Sequence, residues 1–270
     1  MLLLLLLLPT IQAYHATDNL LDMIKTECDV VPNLSYYMYD DILVVHWNKH
    51  LEKDIVWAFN EHARERITGE LALEMILSLK DLNSSRRITM VPVVNVWGRK
   101  QVEKGKRCQR KNKNGVDTNR NYPQKVPHHY SKYSQEYEGN SPLSEKETQL
   151  ISSLIKGSKR YINVHSGEFS LYMPWDSILE RPPNYEKMER KLKEYSKHCP
   201  ECTVGPAALK SFYKAYGSSV DYATTIGVEA YTFEIFGSNH WKCDKMFNPS
   251  GSEYRKVLDQ WKKIMALTLE

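Results

Sequence analysis

Short, nearly unbroken apolar runs alternate with longer segments of helical period, and this alternation constrains the chain more than any other feature. Ile42–Trp47, Ile55–Phe59, Ile88–Val94, Tyr161–Val164 and Glu229–Phe233 read as strands. They are rich in β-branched and aromatic residues, and apolar at successive positions, which suits strands covered on both faces. Between them, Ile67, Leu71, Met75 and Leu79 recur every fourth residue and predict a helix. Ser144-Glu-Lys-Glu147 has the spacing of a capping box and predicts a helix running through Leu150, Ile151, Leu154 and Ile155. Tyr254, Val257, Leu258, Trp261, Ile264 and Met265 predict an amphipathic C-terminal helix. Strands interleaved with helices predict an α/β fold, with a mixed, largely parallel central sheet flanked by helices. No internal repeat or Gly/Ser linker divides the 270 residues, so a single domain is expected. In such a fold, ligand sites belong at the carboxyl ends of the strands.

Composition removes several alternatives. Apolar residues make up 41% of the chain, and 17 Tyr, 6 Trp and 6 Phe supply bulk for a core, so wholesale disorder is excluded. The net charge of +4 is too balanced to imply nucleic-acid binding. The basic run from Arg99 to Lys113 reads as a solvated loop. At the N-terminus, Met1 precedes an unbroken leucine run, Leu2 to Leu8, then Pro9. A membrane span needs about 20 apolar residues and a signal core about 7–15. Residues 1–16 are therefore expected to be a secretory signal, cleaved after Ala13 or Ala16, with the functional domain at 17–270. No later segment is apolar enough to span a bilayer. A secreted or lumenal location follows, a vacuolar or lysosomal type of compartment included. Cys28, Cys108, Cys199, Cys202 and Cys243 suit an oxidising compartment, and most are expected in disulfides. Their odd number leaves at least one unpaired within the chain, and the pairing stays open. No stripe for self-association is legible, and a monomer is expected.

The chemistry concentrates at strand ends. Asn60-Glu-His62-Ala-Arg-Glu65 directly follows the strand at 55–59. A histidine and a glutamate three residues apart at a helix start can converge on one point, and nitrogen and oxygen ligands suit zinc. The strand Tyr161–Val164 delivers His165, followed by Ser166 and Gly167. Three protein ligands, two close in sequence and one remote, form the pattern of a catalytic zinc with an open position. Gly115-Val-Asp-Thr-Asn119-Arg120-Asn-Tyr122 sets an amide beside a guanidinium, a natural clamp for a carboxylate. The bland alternative is an arginine paired with a nearby acid such as Asp117. Glu234 ends the strand Tyr231-Thr-Phe-Glu234, where desolvation raises a carboxyl pKa and prepares it for base chemistry. Its bland alternative is a buried salt bridge.

Taken together, these motifs resemble the zinc carboxypeptidases of the carboxypeptidase A/B type, in the family's order. His62-Ala-Arg-Glu65 looks like its first zinc motif, and His165-Ser166 like its third ligand. Gly115-Val-Asp-Thr-Asn119-Arg120-Asn looks like its GVDxNRN segment. Pro142 to Thr148 resembles its helix-opening stretch, and Tyr231 to Glu234 the strand that bears its catalytic glutamate. The likeness runs from about residue 40 to the C-terminus. Gly98-Arg-Lys, Cys108-Gln-Arg-Lys-Asn112 and Cys243 to Pro249 suggest a compact secreted form, without the long activation segment or the C-terminal β-sandwich domain of other members.

The resemblance implies one zinc ion held by His62, Glu65 and His165, which acidifies its bound water to a pKa of about 7. Glu234 would take the water's proton and pass it to the leaving amine. Arg110 would stabilise the oxyanion, with Arg107 and Lys111 as sequence neighbours that could replace it. Asn119 and Arg120 would grip the terminal carboxylate of a peptide or protein. Tyr213, or Tyr216 if the loop is shifted, would cover the bound C-terminus. Val220 aligns with the floor of the side-chain pocket, which favours apolar terminal residues, and Asp221 would point away. Gly167 stands where the family often has a bulkier residue, which opens the site. Two alternatives remain: a related zinc amidohydrolase acting on cell-wall or side-chain-linked peptides, and an inactive secreted module that captures peptide C-termini. The retained Asn119, Arg120, Tyr213, ligands and Glu234 favour the peptidase.

Overall fold

In the computed structural model, which describes residues 14–82, 84–211 and 213–270, the apolar runs assemble into one eight-stranded sheet. The strands are β1 (Leu34–Tyr39), β2 (Ile42–Trp47), β3 (Lys53–Phe59), β4 (Arg87–Val91), β5 (Arg160–His165), β6 (Phe169–Met173), β7 (Thr203–Pro206) and β8 (Glu229–Ile235). Their order is β1-β2-β4-β3-β5-β8-β6-β7. The centre, β4-β3-β5-β8, is parallel, whereas β1, β2 and β6 join antiparallel. The expected mixed, largely parallel sheet is what forms. The five runs read as strands are its central members. The missed strands β1, β6 and β7 lie toward the edges: β1 alternates between buried and more exposed positions, which weakens its apolar signal, and β6 and β7 are only five and four residues long.

Helices cover both faces. α2 (Arg66–Ser78) and α9 (Ser252–Leu267) bury the stripes that announced them, with Ile67, Leu71 and Met75 against Trp261, Ile264 and Met265 in one core. α4 (Lys146–Ile155) also forms, but Ser144 is not its cap. Glu145 holds the capping position without a side-chain bond to the helix, because Ser144 and Glu145 are drawn to Asn121 instead. The basic run 99–113 is not wholly a solvated loop either. α3 (Val96–Glu103) carries Arg99 fully buried, where it bonds Glu70 at 2.9 Å and Asn60 at 2.8 Å. The guanidinium can be buried because those partners, with the His15 and Arg66 carbonyls, occupy its two Nη groups.

Residues 1–13, with the leucine run and Ala13, lie outside the described residues. The packed domain already includes Tyr14 and His15, ahead of the expected start at Thr17. The Tyr14 hydroxyl donates to the Pro249 carbonyl, and His15 Nδ1 lies 2.6 Å from Glu70 Oε2. Among the described residues, no helix is long and apolar enough to cross a membrane. Cys108 pairs with Cys243, Cys199 pairs with Cys202, and Cys28 is free and buried.

One glycine matters to the site. Gly217 has φ +73°, and a Cβ there would lie 2.2 Å from the carbonyl oxygen of Arg120. Its own carbonyl accepts from the Tyr122 amide, which clips the Arg120 segment to the start of α7 (Ser219–Thr225). We expect Gly217→Ala to cost about 2 kcal/mol or more in urea unfolding, since both backbone strain and the clash oppose it. Unchanged stability would show that the clip yields freely.

Candidate metal centre and active-site cleft

The carboxyl ends of β3, β5 and β8 meet on one side of the sheet. Phe59 of β3 pairs with Val164, so His165 follows at the same height, and His165 itself pairs with Glu234. The loop after β3 is shaped by Asn60, which adopts φ +52°. Its Nδ2 donates to the His62 and Glu65 carbonyls, while its amide donates to Thr68. This holds His62 against the sheet edge and places Glu65 as the first residue before α2.

His62, Glu65 and His165 converge, with one ligand atom from each lying within 4.8 Å of the others. His62 Nδ1 is 2.8 Å from Glu65 Oε1, and His165 Nδ1 is 2.9 Å from Glu65 Oε2. The two Nδ1 atoms face each other at 3.1 Å. Two imidazole nitrogens and a carboxylate turned toward one point, all buried, suit a tetrahedral N,O-coordinated zinc. Each histidine is oriented from behind: Asp117 Oδ1 lies 3.1 Å from His62 Nε2, and Asn119 Nδ2 lies 3.3 Å from His165 Nε2.

Asp117 does more than orient one ring. Its Oδ2 accepts from Arg110 Nε at 2.8 Å and Nη2 at 2.7 Å, leaving Nη1 turned toward His62 at 3.3 Å. Burial alone would push the Asp117 carboxyl up, but the charges of Arg110 and His62 hold it well below the usual range. Asp117 thus partners Arg110 and His62 rather than Arg120, the pairing considered from sequence. Arg110 faces the site, and its neighbours do not compete: Arg107 pairs with Asp244 and Lys111 donates to the Ser134 carbonyl.

The cleft beside the triad holds about 380 Å³. Arg64, Arg110 and Arg120 line it, together with Tyr213, Glu234 and Asp176. Glu234 Oε2 is buried without a hydrogen-bond partner among the described residues. Burial, reinforced by the charge of Glu65, raises its carboxyl well above the usual range. Among the described residues it is in no salt bridge, the bland alternative. Tyr213 lines the cleft, whereas Tyr216 stacks on His128 with ring centroids 4.3 Å apart.

Three expectations need correction. Asn119 is not among the cleft-lining residues: its amide faces His165, and its Oδ1 accepts from Ser219 at 3.0 Å, so Arg120 alone of that pair faces the cleft. Val220 does not floor the pocket. It is fully buried in the hydrophobic core, because the capped turn at Ser218 directs it inward. Gly167 does line the cleft, but Phe247 already fills much of the space beside it, 3.2 Å from where a Cβ would lie. Asp221 points away as expected, toward the Asp176 and Ser177 amides. Asp117, Arg64 and Asp176 were not assigned functional roles from sequence. The first two sit inside quoted motifs, so their proximity to the ligands was the available signal. Asp176 carried none.

Comparison with known proteins agrees with this geometry. The sequence profile of the family described as zinc carboxypeptidase matches residues 41–261. Carboxypeptidase B of Rattus norvegicus is 29% identical over 180 residues, covering 59% of this chain and 43% of the relative. Mast cell carboxypeptidase A of Homo sapiens is 27% identical over 167 residues, covering 54% and 40%. The chain thus spans well under half the length of these two relatives. Bovine thrombin-activatable fibrinolysis inhibitor, solved with a tick carboxypeptidase inhibitor, superimposes with a TM-score of 0.82 at 22% identity, covering 95% of this chain and 96% of that one. Carboxypeptidase A of Helicoverpa armigera gives 0.79 at 20% identity, covering 94% and 73%.

Proposed function

The chain belongs to the zinc carboxypeptidase family, and on that premise we propose that it is a zinc-dependent exopeptidase removing the C-terminal residue of peptides or proteins. The observation that carries this reading is the convergence of His62, Glu65 and His165 with the unpartnered Glu234 on a cleft lined by Arg120. Zinc bound by the triad supplies a Lewis acid that acidifies water and polarises the scissile carbonyl.

The chain's own residues supply the rest. Arg120 binds the terminal carboxylate through its guanidinium fork and so fixes the scissile bond one residue in from the end. Glu234, raised by burial, accepts a proton from the attacking water and delivers it to the leaving amine. Arg110, held by Asp117, donates Nη1–H to the oxyanion as it forms, with no reorganisation needed. Tyr213, half-exposed at the rim, closes over the bound terminus. Asn119 supports His165 and α7 in this arrangement, and so acts on the clamp through position. The apolar preference expected from Val220 loses its basis, because that side chain does not reach the cleft. The two disulfides fit a secreted or lumenal enzyme.

The test pairs a free-acid peptide with its C-terminally amidated twin, with and without a zinc chelator, read by mass spectrometry. Stepwise loss from the free acid alone, abolished by chelator and restored by zinc, is the expected result. Equal cleavage of both peptides, or internal cleavage, would overturn the exopeptidase and favour the amidohydrolase. Silence from protein with confirmed zinc content, across several terminal residues, would leave the inactive binding module.

A further inference from the structure

Glu61 is a buried acid that the proposed reaction does not employ. It follows Asn60 in the loop after β3, immediately before His62, and is 1% exposed. Its Oε2 accepts from Asn163 Nδ2 at 2.6 Å, and its Oε1 has no hydrogen-bond partner among the described residues. Other buried acids of this fold are compensated by a guanidinium: Asp117 has Arg110, and Glu70 has Arg99. Among the described residues, the one basic nitrogen within 4.0 Å of the Glu61 carboxyl is His165 Nε2, at 3.9 Å. A buried carboxyl so sparsely satisfied is costly.

His165 needs an acceptor on that side. Its Nδ1 points into the triad, 2.9 Å from Glu65 Oε2 and 3.1 Å from His62 Nδ1. An imidazole that binds a metal through Nδ1 carries its proton on Nε2, and the group accepting that proton fixes the ring. His62 has Asp117 Oδ1 for this purpose, 3.1 Å from its Nε2. For His165, Asn119 Nδ2 lies 3.3 Å from Nε2, but it is itself a donor. The Asn119 amide cannot be turned over, because its Oδ1 accepts from the Ser219 backbone amide at 3.0 Å. Asn119 therefore helps to set where the ring lies and cannot take its proton.

We propose that Glu61 is the positioning residue for His165, accepting the Nε2–H of the metal-bound ring as Asp117 accepts that of His62. This rests on the zinc reading above and adds a residue to the same site. Asn163 fixes the carboxyl in place. It lies two residues before His165 on β5, so both side chains stand on the same face of the strand. Its Nδ2 donates to Glu61 and, at 2.9 Å, to Ser219 Oγ, which ties the acid to the start of α7. Glu61 is not among the residues lining the cleft, so it acts on the metal through His165 and does not meet the substrate. An acceptor behind the ring also raises its basicity as a ligand, which tightens metal binding.

The test measures zinc affinity by competition with a chromophoric chelator, for the wild type, Glu61→Gln and Glu61→Met. Glutamine keeps an oxygen where Asn163 donates and sets its NH₂ at the unpartnered Oε1 position, whereas methionine keeps the bulk without an acceptor of comparable strength. Glu61→Met is expected to bind zinc about 10- to 100-fold more weakly, and Glu61→Gln to stay within about threefold of wild type. The visible spectrum of the cobalt(II)-substituted protein is expected to change in Glu61→Met and to be kept in Glu61→Gln, a difference that a merely structural role would not produce. Wild-type zinc affinity in Glu61→Met, or equal losses in the two variants, would overturn the acceptor role. Should Glu61→Met fail to fold, ¹H–¹⁵N spectra of the zinc-loaded wild type and Glu61→Gln decide. The His165 Nε2–H resonance is expected to move upfield when an amide oxygen replaces the carboxyl oxygen, and an unmoved resonance would overturn the proposal. None of these readouts needs turnover, so zinc-loaded protein that cleaves no peptide would overturn the exopeptidase and leave the role of Glu61 standing. A wild type that binds no zinc would overturn both.

Discussion

Glu234→Gln is expected to lower kcat by about 10²- to 10⁴-fold, with zinc content and affinity for a non-cleaved ligand unchanged. The substitution keeps the shape of the side chain and removes only its ability to take a proton. Glu234 sits opposite His165 in the β5–β8 register, with Oε2 unpartnered, so no structural bond is lost. Glutamine also matches the neutral form that burial and the charge of Glu65 favour at this position, so thermal stability should hold or rise slightly. Steady-state kinetics, metal analysis and a melting curve on one preparation check all three points. Turnover within about tenfold of wild type would show that another group moves the proton.

Asp117→Asn is expected to have two large consequences, because one carboxylate serves both halves of the site. Its Oδ1 orients His62, and removing such a partner typically weakens metal affinity by about 10- to 100-fold. Its Oδ2 holds Arg110 by two bonds, and a misplaced oxyanion donor typically costs about 10²- to 10³-fold in kcat. The buried Arg110 charge would also lose its compensation, a change that commonly costs about 3–5 kcal/mol. Chelator titration followed by kinetics at saturating zinc separates the effects. A loss of kcat that excess zinc fully restores would confine Asp117 to the metal. Unchanged zinc affinity would confine it to Arg110.

The two variants also divide what could be read from the chain. Glu234 was legible because an acid ending an apolar strand is anomalous by itself. His62, Glu65 and His165 were legible for a related reason, since two strand ends delivered metal-binding side chains in a familiar spacing. Asp117 was seen only as a neighbour of Arg120, and its tie to His62, 55 residues away in sequence, belongs to the folded chain. The same limit explains Asn119 and Val220. Adjacency suggested that Asn119 and Arg120 act together, but the 3₁₀ turn at Thr118–Arg120 sends one side chain to His165 and the other to the cleft.

The sequence by itself determined the α/β class, the central strands, the α2 and α9 stripes and the candidate metal triad. These follow from local periodicity and from chemistry attached to strand ends. Only the tertiary structure decided the edge strands, the burial of Arg99, the disulfide pairs, and the sharing of Asp117 between His62 and Arg110. Each of these depends on which distant segments share a wall. Asp117 is an ordinary aspartate in the chain and becomes the shared partner of His62 and Arg110 only when the loop after β3 and the turn at Thr118–Arg120 close on each other.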